Sequence, residues 1–290
     1  MMRDSAMRSG VQPWSRLLRS RAIRLTLTER RVGMSVSAGE AMKPTVGRDM
    51  QVCTSVGSAL RDNGFAILST QQVMQICGSG ATDPAAGAAF LSSWNDLPTD
   101  EFLADGGRYR FRRHASLKLS QSGWLDEPYR PHWQPKAYNK LHGGVFRTFA
   151  EVRPETTKNA TYRGLVEGFG EVFAAAAPRA AEPWFVETHQ FRIDARQGEG
   201  RPTPEGAHRD GVDYVALIML GRRDIEGAVT TVYDNNGALL SEFMLHEPFT
   251  AMLLDDQRVV HATTPFRATG PAPERDTLVV TYRAGGFLQP

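Results

Sequence analysis

Past residue 183 the chain reads as a succession of short strands with no helical periodicity between them. Residues 185–193, 212–220, 228–233, 239–245, 249–254, 258–263 and 277–282 are each apolar or alternating. Asp234-Asn235-Asn236-Gly237 sits between two of them and is a strong hairpin signal. Seven short strands at regular spacing confine this half to a β-sandwich, barrel or jelly roll. The first half is mixed. Val52, Val56 and Leu60 recur at helical spacing before Asn63-Gly64, a C-cap pair, and Phe65–Leu68 follows as a short buried strand. Residues 108–120 read as an arginine-rich strand, 122–148 as an aromatic loop, and 161–177 as a helix with an apolar stripe. The expectation is a mainly β protein with flanking helices, built on a double-stranded β-helix (jelly-roll, cupin-like) core.

Charge divides the chain differently. Residues 1–31 hold eight arginines against Asp4 and Glu29, so the net charge of +2 leaves the remainder mildly acidic. That argues against a nucleic-acid-binding body, whose basic patch would have to lie outside the tail. Residues 1–45 are read as a basic, disordered extension, with Met34 or Met42 as an alternative start, and residues 46–290 as a single jelly-roll domain with a helical N-terminal part. No apolar run approaches the roughly 20 residues of a membrane span. Two cysteines, Cys53 and Cys77, exclude a disulfide framework and suggest a reducing, cytoplasmic setting. The oligomeric state is not readable.

The chemistry concentrates in Pro204-Glu205-Gly206-Ala207-His208-Arg209-Asp210-Gly211, just before the most apolar strand. In extended chain His208 and Asp210 point the same way, as two ligands of one metal would. Alone this is a weak signal, since 7 histidines and 32 acids in 290 residues give about 0.8 such pairs by chance. His261, interrupting an apolar strand, supplies a third ligand, although a lone strand histidine is more often a hydrogen-bonded core or surface residue. Two imidazoles and a carboxylate form the facial triad of non-haem Fe(II) oxygenases. Arg275 opens the last strand; inside a barrel its charge needs an anion, whereas at a strand end it would pair with Glu274 or Asp276.

Taken together, His189-Gln190-Phe191-Arg192, the stretch 202–211 with His208 and Asp210, and Val260-His261 followed by Arg275-Asp276 resemble the Fe(II)/2-oxoglutarate-dependent dioxygenases. More narrowly they resemble the bacterial amino-acid hydroxylase group that includes L-isoleucine 4-hydroxylase. The chain departs from that group at Gly227-Ala228, where paired glycines are expected. The resemblance implies Fe(II) held by His208, Asp210 and His261, and 2-oxoglutarate with its far carboxylate on Arg275. It also implies O2 as oxidant, ascorbate as an accessory reductant, and oxidation of a small substrate, most simply hydroxylation of a free L-amino acid, with release of succinate and CO2. A metal-dependent cupin-type isomerase or hydrolase would not need Arg275, and in a non-catalytic jelly-roll binding protein the histidines would be incidental.

Further expectations are finer. Gln190 and Arg192 share one strand face and are expected to line the barrel, Gln190 towards the co-substrate and Arg192 towards a substrate carboxylate, while Phe191 and Ile193 pack under helices. Glu205 is expected at a substrate amine, and Tyr109 with Trp133 over the site as a lid. His114, His132, His142 and His246 have no ligand-like sequence neighbours and are assigned no role.

Overall fold

The computed structural model of the chain describes residues 47–78, 83–120, 123–178 and 183–290. The extension expected over residues 1–45 lies outside them. Two helices, α1 (Met50–Asn63) and α2 (Thr70–Cys77), flank the first strand, β1 (Phe65–Leu68). Asp49 caps α1 by accepting from the N–H groups of Gln51 and Val52, and Gly64 ends it at φ +81°. Helix α3 (Pro84–Ser92) and a 3-10 turn (Ser93–Asp96) lead to β2 (Arg110–Ser120) and β3 (Gly123–Asp126). A short turn, α4 (Pro154–Thr157), precedes α5 (Ala160–Ala176), and β4 (Trp184–Asp194) begins the strand-rich half.

Strand β4 joins a seven-stranded antiparallel sheet of order β1-β9-β5-β12-β4-β2-β3, where β5 is Tyr214–Arg223, β9 is Ala251–Asp255 and β12 is Glu274–Arg283. A second sheet has the order β10-β7-β8, formed by Val259–Thr263, Thr230–Asp234 and Leu239–Phe243. Strands β6 (Ile225–Gly227) and β11 (Phe266–Ala268) pair separately. This is the jelly roll expected from the strand spacing.

Period-two alternation puts one face of the large sheet under the helices and the other against the small sheet. On β5, Tyr214, Ala216, Ile218 and Leu220 join the core with α1, α2 and α5, while Val215, Leu217 and Met219 pack with Val232 and Val259 between the sheets. A strand buried on both faces reads as a continuous apolar run, as 212–220 does. On β12 the helix-side residues are Leu278, Val280 and Tyr282; Arg275, Thr277, Val279 and Thr281 face the interior cavity.

The expected face of β4 is reversed. Glu187, His189, Phe191 and Ile193 line the cavity. Gln190 instead donates to Ser93 Oγ (2.8 Å), and Arg192 grips Asp276 with two hydrogen bonds of 2.8 and 2.6 Å. The helix side offers these polar groups partners of their own, so polarity does not mark the inward face. At the departure in β6, Gly227 and Ala228 adopt φ +103° and +57°. Ala228 thus holds a left-handed conformation that costs a non-glycine residue about 1–2 kcal/mol.

Candidate metal centre and its cavity

His208 and His261 are placed by the backbone. They form an antiparallel bridge, each N–H donating to the other's carbonyl at 3.0 Å. Directly paired residues project to the same face, so the two imidazoles are brought side by side, ring centroids 4.5 Å apart. The stretch before His208 cannot form a full ladder, because Pro202 and Pro204 lack N–H groups. The Thr203 hydroxyl substitutes, donating to Thr263 O and accepting from Thr263 N, both at 3.0 Å.

Asp210 is fixed by a turn rather than by a strand. The Asp256 carboxylate accepts from the N–H groups of Asp210, Gly211 and Val212 at 2.9, 2.7 and 3.1 Å. Gly211 sits at φ +84°, and a Cβ there would lie 2.4 Å from the Tyr138 ring. Only glycine satisfies both constraints.

The ligating atoms of His208, Asp210 and His261 lie within 4.8 Å of one another. His208 Nδ1 donates to Gly206 O (3.0 Å), which leaves Nε2 as its free lone pair, 3.9 Å from Asp210 Oδ1. His261 Nδ1 is buried without a hydrogen-bond partner. Gln134 Nε2 donates to Asp210 Oδ1 (3.2 Å), and Arg147 and Asn139 donate to Gln134 Oε1, fixing which end of the amide faces the carboxylate. In the absence of a cation, burial pushes the Asp210 carboxyl up and the His261 imidazole down; burial also opposes protonation of His208, but Asp210 and Glu205 outweigh it and raise His208. Two imidazoles and one carboxylate with convergent free lone pairs fit a divalent iron.

A family model described as 2OG-Fe dioxygenase matches residues 91–281. The chain belongs to that family. Its reaction therefore uses Fe(II), 2-oxoglutarate and O2, and the two non-dioxygenase alternatives fall away. Among solved structures, a BsmA homologue from Methylobium petroleophilum PM1 shares 41% identity at a TM-score of 0.75, over 82% of this chain and 95% of that one. IDO from Bacillus thuringiensis, at 16% identity and a TM-score of 0.66 over 81% and 100% of the two chains, shares the fold. So does the Fe(II)/α-ketoglutarate-dependent dioxygenase TqaL, at 22% identity and a TM-score of 0.62 over 81% and 87%. No curated protein matches the chain.

In this dioxygenase the triad opens onto a cavity between the sheets that also holds Arg275, Glu205, Arg110, Arg112 and Arg147. Arg275 is 2% exposed, its Nε has no partner, and burial together with the facing Arg222 pushes it down to about 10. Neither carboxylate expected as its surface partner forms an ion pair with it, since Glu274 and Asp276 both go to Arg192. Gln190, Arg192, Tyr109 and Trp133 do not line this cavity. The Tyr109 hydroxyl donates to Asp105 Oδ2 (2.8 Å) beside a small core of Ile193, Ala195 and Phe266.

Two histidines without sequence neighbours do have spatial ones. His114 and His132 gather with Glu187 and His189 in a fully buried second cluster, ligating atoms again within 4.8 Å. His114 Nε2 (3.1 Å) and His132 Nδ1 (3.2 Å) donate to the Glu187 carboxylate, and Arg112 donates to His189 Nδ1 at 2.6 Å. Burial works against the Glu187 anion, but the two imidazoles outweigh it and hold the carboxyl well below the usual range. The sequence signal was parity: His114 on β2 and Glu187 and His189 on β4 all face inward.

Proposed function

We propose that this dioxygenase hydroxylates a free L-amino acid within a reducing cytoplasm, as one catalytic unit spanning residues 46–290. The alternative to a free amino acid is a peptide substrate. The observation that carries the smaller substrate is the cavity itself. It gathers between the two sheets Arg275, the triad and charges of both signs, buried Glu187, Arg110, Arg112 and Arg147 with half-buried Glu205. A peptide presents mostly neutral backbone, whereas a free amino acid brings both charges such a cavity requires.

Within this reading His208, Asp210 and His261 hold Fe(II), which with 2-oxoglutarate and O2 supplies the oxidant. The Gly206 carbonyl keeps the His208 tautomer correct, and Gln134 keeps Asp210 turned to the metal. Arg275 takes the far carboxylate of 2-oxoglutarate, its charge unmatched until that anion arrives. Between the two sheets each charge is read at short range, where the dielectric is lower than in bulk water. No helix among the described residues is long and apolar enough to cross a membrane. Cys53 and Cys77 are buried free thiols, in keeping with a reducing setting.

The test is succinate release across the twenty free amino acids with Fe(II), 2-oxoglutarate and ascorbate, with product mass resolving a gain of one oxygen. Succinate above the substrate-free background from none of them, with release on a peptide, would overturn the reading. Arg275→Lys should raise the 2-oxoglutarate KM about 10- to 150-fold, because lysine loses the two-point grip. Arg283→Lys should change it little; Arg283 hydrogen-bonds Gly286 O and lies outside the cavity.

A further inference from the structure

The cavity face of the large sheet is a grid. Register sets Arg110 opposite Ile193, and Ile193 opposite Arg275; one row along, Arg112 faces Phe191 and Phe191 faces Thr277. Two strand spacings separate Arg110 from Arg275, about 10 Å, so two different anions can be held at once. Arg147 reaches the same wall from the segment that carries Gln134.

These three guanidiniums are buried, at 6%, 4% and 3% exposure for Arg110, Arg112 and Arg147. Their partners are few. Asp100 accepts from Arg110 Nε (2.7 Å) and lies 3.6 Å from Arg112 NH1. Arg112 is further occupied by His189 and lies over the Phe149 ring at 3.5 Å and the Phe191 ring at 4.5 Å. Arg147 has no ion pair among the described residues, and the one hydrogen bond its guanidinium makes to them goes to neutral Gln134 Oε1. The Nε of Arg147 and one terminal nitrogen of Arg110 are buried with no acceptor. On the metal side, Glu205 Oε2 is also buried without a donor, while Oε1 lies 3.5 Å from His208 Nε2. Unmatched donors and an unmatched acceptor thus line one chamber. Such groups are costly to keep unless water or a ligand completes them, and a ligand with both charges completes donors and acceptor together.

We infer that Arg147, together with Arg110, is the receptor for the substrate's carboxylate, and that Glu205 takes its ammonium group. This rests on the amino-acid reading above and adds to it the residues that distinguish an α-amino acid from its uncharged derivatives. Arg112 also keeps one unpaired nitrogen, its Nε, but its guanidinium lies against two aromatic rings and bonds His189, so it is assigned to the wall rather than to the receptor. The arrangement has a directional consequence: the amine end lies on the side of the cavity where Glu205 neighbours His208, and the carboxylate end lies on the arginine side.

The experiment measures binding by calorimetry, without turnover. Anaerobic Mn(II)-loaded protein with 2-oxoglutarate is titrated with the best substrate from the amino-acid screen, its α-amide and its des-amino acid. The wild type should bind the acid at least tenfold more tightly than the amide. Arg147→Gln should reduce that ratio to near one, and Glu205→Gln should reduce the preference over the des-amino acid while leaving the acid-to-amide ratio intact. Arg110→Lys provides a second test should Arg147→Gln not fold, and is expected to lower the acid-to-amide ratio several-fold. Metal content is measured for every variant, because Arg147 also supports Gln134. If no amino acid binds but des-amino acids do, and Arg147→Gln weakens them, the amino-acid reading fails and the carboxylate receptor stands. An acid-to-amide ratio unchanged in both Arg147→Gln and Arg110→Lys overturns the inference.

Discussion

Two clusters of histidine and carboxylate border one cavity, the second through His132, Glu187 and His189, and by residue type alone either could hold a metal. They differ in where their lone pairs go. In His208, Asp210 and His261 the hydrogen bonds come from behind, from Gly206 and Gln134, and His208 Nε2 is left free toward the cavity. In His114, His132, Glu187 and His189 the imidazoles donate to the carboxylate within the cluster, and the Nδ1 lone pair of His189 is taken by Arg112. A dication placed there would also confront a guanidinium already in contact with one of its ligands. The first cluster is arranged to bind; the second is closed on itself and forms part of the wall. Donor type and proximity are therefore not sufficient for a metal centre.

The largest effect that separates them is loss of chemistry. Alanine at His208, Asp210 or His261 should abolish 2-oxoglutarate decarboxylation and iron retention while leaving a folded protein, since the jelly roll has cores of its own. The wild type should bind one iron per chain by elemental analysis, and His132→Ala should still bind one. Two irons in the wild type, falling to one in His132→Ala, would put a metal in the second cluster.

The second cluster should respond in stability instead. Glu187→Ala strands two buried imidazole donors and should cost about 2–5 kcal/mol in urea unfolding, with iron stoichiometry unchanged. A smaller effect belongs to the support behind the triad. Gln134→Leu removes a hydrogen bond to Asp210 and should weaken Fe(II) binding about 10- to 100-fold, read by competition with a chelator.

The smallest is a pH slope. Burial, the largest influence, pushes His132 down from 6.5 to about 4, even though Glu187 favours its protonation. Its neutral form is therefore the folded one. The stability this provides is complete above pH 6.5 and is lost as pH falls towards 4, with a limiting slope of about 1.4 kcal/mol per unit. Glu187 adds to the loss at lower pH, below its ordinary carboxylate range. His132→Gln should flatten urea-derived stability between pH 6.5 and 4. A curve parallel to the wild type would show that this imidazole is already protonated in the fold.

Legibility followed the range of the interactions. His208 and Asp210 are two residues apart, and a short apolar context flags His261, so the triad could be read locally. Helix α1 announced its end in Asn63-Gly64, and the hairpin between β7 and β8 in Asp234–Gly237. The second cluster could not be read that way, because His114, His132 and Glu187 meet only once β2 has paired with β4 and the 122–148 segment has folded over them. Four residues of the eleven-residue β4 do not show which of its faces turns inward. Over its full length, Trp184, Val186 and Thr188 lie on the helix side with Gln190. Strands β6 and β11 have three residues each, too few for periodicity to show. Gln134 and Arg147 fall in a stretch with no repeat at all.

The two-sidedness of β4 also bears on how such a chain can change over time. Its helix-facing residues meet Ser93, Tyr162 and Asp276, and its cavity-facing residues meet the arginines and the ligand chamber. Because adjacent positions answer to different neighbours, a substitution at 188 or 190 is tested by the helical layer and one at 191 or 193 by the cavity. Drift can thus retune specificity by single steps on alternate codons without disturbing the helical layer, and the helical layer can diverge while the ligand chamber stays as it is.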